Sequence, residues 1–365
     1  MKIAIIGCGQ IADAHIQEAS KIPCVEIVAV CDLNQFMAKQ AAIRFNISGC
    51  YTDIHSMLKE TKPNVVHITT PPASHLPIAK ICLENGTHVY MEKPFTVNFP
   101  EAEELVKIAE KAGRLVCAGH NYVFDSSHQR LISMYRGGQL GEISHLDTAM
   151  GYNLKGPFGS IFMGDPHHWL HKLPGGVAQN NISHPISLLL GLMPKADIKV
   201  KAVGYRFRDE LYHDSRDLFF DEVRAMLVSG TVTANLVFSC RSRPIQTFIH
   251  AYGTRCAAVA SLDSRTLRTT AGSNMPGPFA KVQWAARDAK EAWREMYYNC
   301  KQLLTAKLHY FEGMKELFRQ FYAAVEGQQK MPIPMTEALR VTAVMDAIIS
   351  ECKANDDKGS LRGSR

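Results

Sequence analysis

The chain has 365 residues, enough for two domains, and 46% of them are hydrophobic, enough to fill a core in each. Its 41 basic and 35 acidic residues leave a formal charge of +6 with no block of like charge, which argues against a nucleic-acid partner. No uncharged apolar run reaches the length of a bilayer span, and the ten cysteines are scattered without a C-x-x-C pair. These features point to a reduced, cytoplasmic globular protein without membrane contact.

The chain opens with MKIAIIG, a strand rather than the basic and apolar regions of a signal peptide. KIAIIG, VEIVAVCD, NVVHITTPP, HVYMEKP and RLVCAG read as buried strands, rich in Val and Ile and bounded by Gly, Pro or polar residues. Helical patterns lie between them. PEAEELVKIAEKAG is one, with Pro100 in its first turn and Gly113 just past its end. Such alternation predicts an α/β Rossmann domain, a doubly wound parallel sheet, over residues 1–122.

Gly7, Gly9 and Ala12 in IIGCGQIADAH fit G-x-G-x-x-A between a strand and a helix. The first glycine permits a tight turn, the second lets backbone approach a pyrophosphate, and the small third residue lets the helix pack closely. Gln10 and Ile11 then open a helix whose amino terminus faces the phosphates. Asp32 ends the second strand, 25 residues beyond Gly7, where an acidic residue accepts hydrogen bonds from ribose hydroxyls. It can also serve as a helix cap. Both halves of the fingerprint together indicate a dinucleotide, NAD rather than NADP.

Over nearly its whole length, the glycine fingerprint included, the chain resembles the family of glucose-fructose oxidoreductase, inositol dehydrogenase and MocA. The resemblance rests on TTPPASH (residues 69–75), LENGTHV, the Glu92-Lys93-Pro94 triplet, GQLGEI at 138–143, and a Gly-Gly stretch followed by His184. It implies that Thr69, Thr70, Pro71, His75, Glu92 and Lys93 join the cofactor site. Lys93 would also be catalytic, at the nicotinamide end, since an ammonium beside a substrate hydroxyl stabilises negative charge as hydride leaves.

LPGGVAQNNISHPISLLLG (173–191) is similar to the family helix that carries an Asp and, four residues later, a His on the same face. Here those positions are Asn180 and His184. A neutral imidazole at His184 could take the hydroxyl proton, while Asn180 can bind substrate but offers no charge. Val123 stands where many relatives carry arginine. His120 and Asn121, at a strand end, are candidate substrate contacts or loop polars, and Trp169 can stack on a sugar or fill core. His168 and His171 have helical zinc spacing but lack completing ligands, so no metal is expected.

Beyond residue 190, ADIKVKAVGYRF, EVRAMLVSGTVTANLVFSC and TFIHAYGTRCAAVASLDSRTLRTT read as consecutive extended strands. They predict an α+β domain over 123–358 with an open, mainly antiparallel sheet. The resemblance implies that this domain binds substrate and forms a homo-oligomer. Residues 279–312 lack Gly and Pro and read as a long amphipathic helix, packed on the protein itself or lying at a membrane surface. Helices follow at 310–326 and 335–352, similar to the family's carboxyl end, which the resemblance implies packs back toward the first domain, and 359–365 read as a tail. Two functions fit: an NAD-dependent oxidoreductase acting on a secondary hydroxyl or ketone of a sugar-like substrate, or an NAD-binding sensor with reduced chemistry.

Overall fold

The computed structural model describes residues 1–207, 219–305 and 311–356. The chain divides into two units, the first holding residues 1–121 and 313–346, the second 122–312 and the residues from Ala347 onward.

In the first unit, β1 (Lys2–Ile6), β2 (Glu26–Cys31), β3 (Gly49–Tyr51), β4 (Val65–Ile68), β5 (His88–Met91) and β6 (Val116–Ala118) form one parallel sheet in the order 3-2-1-4-5-6. Between them run α1 (Gln10–Ser20), α2 (Gln35–Phe45), α3 (Ile54–Thr61), α4 (His75–Glu84) and α5 (Phe99–Ala112). The strand β3 was not foreseen, because three residues are too few to show a pattern. Helix starts follow their capping residues. The Asn34, Asp53 and Asn98 side chains accept the amides of Phe36, Ser56 and Glu101, and Gly113, at φ +60°, closes α5.

Alternation along each strand sends neighbouring side chains to opposite faces of the sheet. Ala4 and Ile6 join Val66, Ile68, Val89 and Met91 in one core, while Ile5 and Val30 join Ala12, Ile16, Ala38 and Ala41 in another. His67 and Tyr90 therefore turn away from the first of these cores. They meet His15 of α1 and Phe318, with ring centroids between 4.6 and 5.4 Å apart.

Phe318 lies on α10 (Glu312–Val325), and α11 (Met335–Asp356) follows it. The range 123–358 took these helices into the second domain by sequence order; residues 313–346 pack with the first unit, the direction the resemblance implied. Aromatic contacts from α10, Ala338 in the core, and the Asp346 carboxylate accepting the Phe99 amide at 2.6 Å hold them there. The tail expected at 359–365 lies outside the described residues, as do 306–310, where the expected helices 279–312 and 310–326 meet.

The second unit is built on a seven-stranded sheet in the order β13-β12-β11-β7-β10-β9-β8. The strands are β7 (Ile143–Gly151), β8 (Lys199–Tyr205), β9 (Glu222–Ser229), β10 (Val232–Ser239), β11 (Thr247–Gly253), β12 (Cys256–Ser261) and β13 (Thr266–Ala271). All pairings are antiparallel except β7 with β10. Helices α6 (Ser126–Arg136) and α8 (Gly176–Leu190) pack on the sheet, α7 (Gly159–Gly164) is a short turn of helix, and α9 (Gly277–Leu304) lies along β13.

Glu295 of α9 is buried. It pairs with Arg130 of α6 and accepts the Leu267 amide at 2.9 Å, tying α9 to the unit. Among the described residues no helix is long and apolar enough to cross a membrane.

Candidate active site

The sequence-predicted residues of the first unit gather at one edge of its sheet. Gly7 to Ile11 follow β1, Asp32 follows β2, Thr69 to Pro71 follow β4, Glu92 and Lys93 follow β5, and His120 and Asn121 follow β6. All sit beyond the carboxyl ends of the parallel strands, where open α/β sheets bind their ligands.

Two glycines in the first loop have different reasons. Gly7 has φ +93°, and a Cβ there would lie 2.7 Å from the Thr70 methyl, so the chain itself demands glycine. Gly9 has ordinary φ and an exposed surface, and a Cβ there would meet nothing within 4 Å. Packing within the chain does not require it. Close approach of a ligand does, and α1 begins at Gly9 without a side-chain cap, leaving its first amides available to an anion.

Asp32 holds two backbone amides. One carboxylate oxygen accepts the Cys8 amide at 2.7 Å, bracing the glycine loop, and the other accepts the Asn34 amide at 2.8 Å. The cap of α2 is Asn34, so Asp32 does not fill that role. Thr69 donates its hydroxyl to the Gly7 carbonyl at 2.6 Å and fixes the neighbouring loop.

His75 links two loops of this edge. It is fully buried, and its ring nitrogens face the Thr70 and Phe95 carbonyls at 2.9 and 3.2 Å, so it braces two loops and presents no nitrogen to a ligand. Burial lowers its pKa, with the backbone contacts opposing.

Around Lys93 the electrostatics are opposed. Burial lowers the ammonium from its ordinary value and the Glu92 carboxylate works to raise it. Burial also acts to raise the Glu92 carboxyl, but the His15 hydrogen bond, the His15 charge and Lys93 outweigh it and leave Glu92 below the usual range. The Lys93–Pro94 peptide is cis. Next to them, burial pushes His120 down to about 4, so its ring is neutral near pH 7. His120 Nε2 and Asn121 Oδ1 are buried with no hydrogen-bond partner among the described residues. Orphaned polar atoms at a ligand-binding edge are what a polar ligand would satisfy.

In the second unit, α8 is buried along its whole length, and Asn180 and His184 are four residues apart on one face. Gly176 begins the helix at φ +52°, where a Cβ would lie 1.5 Å from the Phe219 ring. The Tyr122 ring stacks on His184 with centroids 3.9 Å apart and planes within 16°, which fixes the imidazole plane. Trp169, partly buried, sits in a short 3₁₀ turn packed against α8 and beside His168.

Comparison with known proteins now bears on this arrangement. Residues 1–120 match the family model GFO_IDH_MocA, an oxidoreductase family with an NAD-binding Rossmann fold. The match covers the first third of the chain. A relative named D-glucoside 3-dehydrogenase, from Escherichia coli K12, is 33% identical over 144 residues, covering 39% of this chain and 41% of that protein. The aligned region thus spans about two-fifths of the relative's length.

Two solved structures share the fold over nearly the whole chain. The WlbA dehydrogenase of Bordetella pertussis, in complex with NADH and UDP-GlcNAcA, has TM-score 0.79 at 17% identity, covering 97% of this chain and 96% of that one. A levoglucosan dehydrogenase complexed with NADH has TM-score 0.78 at 18% identity, covering 97% of each. Residues 1–120 thus match an NAD-binding Rossmann domain, and the glycine loop, the bare start of α1 and Asp32 fit that cofactor.

Within this Gfo/Idh/MocA frame some functional candidates had escaped the sequence reading. Tyr122 carried no motif. His15 is visible in hindsight, three residues after the small Ala12 on the buried side of α1, but its contact with His67 joins residues 52 apart.

Proposed function

We propose that the protein is an NAD-dependent oxidoreductase that moves hydride between the nicotinamide and a secondary hydroxyl or ketone of a sugar, sugar derivative or nucleotide sugar. The observation that carries this reading is the place of Lys93 just past the carboxyl end of β5, its backbone amide donating to Glu92 at 3.1 Å, on the same sheet edge as the glycine loop and Asp32. The sugar-like class is supported by the names of the relative and of the two solved structures.

Bound nicotinamide supplies the hydride acceptor or donor. Lys93 hydrogen-bonds the substrate oxygen and stabilises the charge it gains as the C–H bond breaks. His184 takes the hydroxyl proton as a neutral imidazole, and Asn180 orients the substrate by hydrogen bonding. His120, Asn121 and Trp169 add substrate contacts. We also propose a homo-oligomer assembled through the second sheet, whose β9 leaves Met226 48% exposed; a monomer in sedimentation would reject that assembly.

The second reading, an NAD-binding sensor, is favoured by one observation: an amide at Asn180 where the resembled family helix has a carboxylate. Mass measurement of species that co-purify, followed by assay of those sugars with NAD, separates the two. Replacing Lys93 by Ala should lower turnover on the sugar found by on the order of 10² to 10⁴, with NAD affinity nearly unchanged. Unaltered turnover in that variant would remove Lys93 from the chemistry.

A further inference from the structure

Four side chains from three helices and strands and one loop of the first unit form a continuous buried chain. The Tyr322 hydroxyl lies 2.8 Å from His67 Nε2, His67 Nδ1 lies 2.9 Å from His15 Nδ1, and His15 Nε2 lies 2.9 Å from Glu92 Oε1. The other carboxylate oxygen, Oε2, accepts the backbone amide of Lys93 at 3.1 Å. His15 and His67 are completely buried, and Tyr322 is 4% and Glu92 6% exposed. We propose that Tyr322, His67 and His15 are positioning residues that hold the Glu92 carboxylate ionised and aimed at the Lys93 turn, keeping the Lys93 side chain a charged ammonium.

Hydrogen-bond bookkeeping shows why this chain suits the task. Two imidazole nitrogens in contact share one proton, so either His67 donates to His15 or the reverse. When His67 donates, its Nε2 accepts from the Tyr322 hydroxyl, and neutral His15 keeps its proton on Nε2, toward Glu92. When His15 donates, it is an imidazolium that still presents Nε2–H to Glu92, and His67 turns its own Nε2–H to the Tyr322 oxygen. A phenol can donate or accept, so the chain is satisfied in both states. The proton aimed at Glu92 survives either way.

Without that donor, a carboxylate at this depth would be driven toward its neutral form. Lys93 would then lose the negative charge that opposes its own burial. Among the described residues the neighbouring His75, His120 and Tyr90 do not serve as that donor: His75 faces two backbone carbonyls, and His120 Nε2 and the Tyr90 hydroxyl make no hydrogen bond. Cys117, on β6, is held as a thiol by burial.

This proposal rests on the reading of Lys93 as a functional ammonium, but its test needs no substrate. Competitive acetylation with acetic anhydride across pH, read at the Lys93 peptide by mass spectrometry with exposed Lys39 as internal reference, gives the Lys93 titration midpoint. Glu92→Gln and His15→Leu should lower that midpoint by about one pH unit or more. His15→Gln should restore it, because a glutamine amide offers one acceptor and one donor at nearly the spacing of the imidazole nitrogens. A merely structural role for His15 would give no such rescue.

Where His15→Leu does not fold, judged by circular dichroism and NAD binding, His67→Leu takes its place with the same expected shift. A midpoint that moves in Glu92→Gln but not in the histidine variants would overturn the relay, as would a midpoint unmoved in all of them. Lys93→Ala with full turnover would instead reject the functional reading while leaving this titration intact.

Discussion

At the scale of single residues, the proton chemistry turns on what surrounds His184. An aspartate at position 180 would stabilise an imidazolium by charge, whereas Asn180 offers only a dipole. The stacked Tyr122 ring supplies part of the difference, because an aromatic face attracts a cation by about 0.5 to 2 kcal/mol. For a base, oxidation activity rises with pH through the pKa. Asn180→Asp should therefore move the low-pH limb of the profile upward, and Tyr122→Leu should move it downward by up to about one unit. Profiles that coincide with the parent, in variants shown by titration to bind NAD, would remove His184 from proton transfer. Lys93, Asn180 and His184 could be named from short motifs because each lies beside residues that mark a turn or a helix start. Tyr122 could not, since stacking leaves no trace in the order of residues. His75 was named from its motif position, and the bracing of the Thr70 and Phe95 carbonyls by its ring was not legible there.

At the scale of elements, the start of α1 makes two predictions. Gly9 has an extended backbone conformation that any residue adopts and open space where a Cβ would go, so Gly9→Ala should leave thermal stability almost unchanged. NAD affinity should nevertheless fall by about tenfold or more, because the methyl group would occupy the approach of the pyrophosphate. A calorimetric titration showing unaltered affinity would remove the cofactor from that loop. The same titration addresses Asp32, whose carboxylate should disfavour a 2′-phosphate and give NAD an advantage of about tenfold or more; tighter NADP would contradict the assignment. Most of these elements were legible, since strands such as β4 are continuous apolar runs and α5 carries its own start and stop residues. The strand β7 was not read, because ISHLDTAMG mixes polar residues into a segment whose partners, β10 and β11, lie about ninety or more residues away. Local pattern records burial well and distant pairing poorly.

At the scale of the whole molecule, the chain returns to its first unit after building the second, and the aromatic side chains it brings back on α10 help close the surroundings of His67. Periodicity showed that helix but not its destination, because an apolar face does not say which surface it will meet. Burying so many imidazoles has a consequence for stability. Burial lowers the pKa of His67 well below its ordinary 6.5, lowers those of His75 and His128 as well, and takes His120 to about 4. The folded protein leaves these rings unprotonated where the unfolded chain takes up protons, so stability must fall as pH drops below about 6.5. Each ring contributes up to about 1.4 kcal/mol per pH unit below that point, and for His120 the loss down to pH 4 reaches roughly 3 kcal/mol. Glu92, whose folded pKa is depressed, stabilises the fold above its ordinary 4.5 and gives that up only at lower pH, so the window from 6.5 to 4.5 reports mainly the histidines. Thermal midpoints should be nearly level from pH 7.5 to about 6.5 and decline from there to pH 5, and His120→Gln should flatten the decline by one ring's share. A midpoint independent of pH across that window would mean that the rings take up protons in the folded protein as readily as in the unfolded chain.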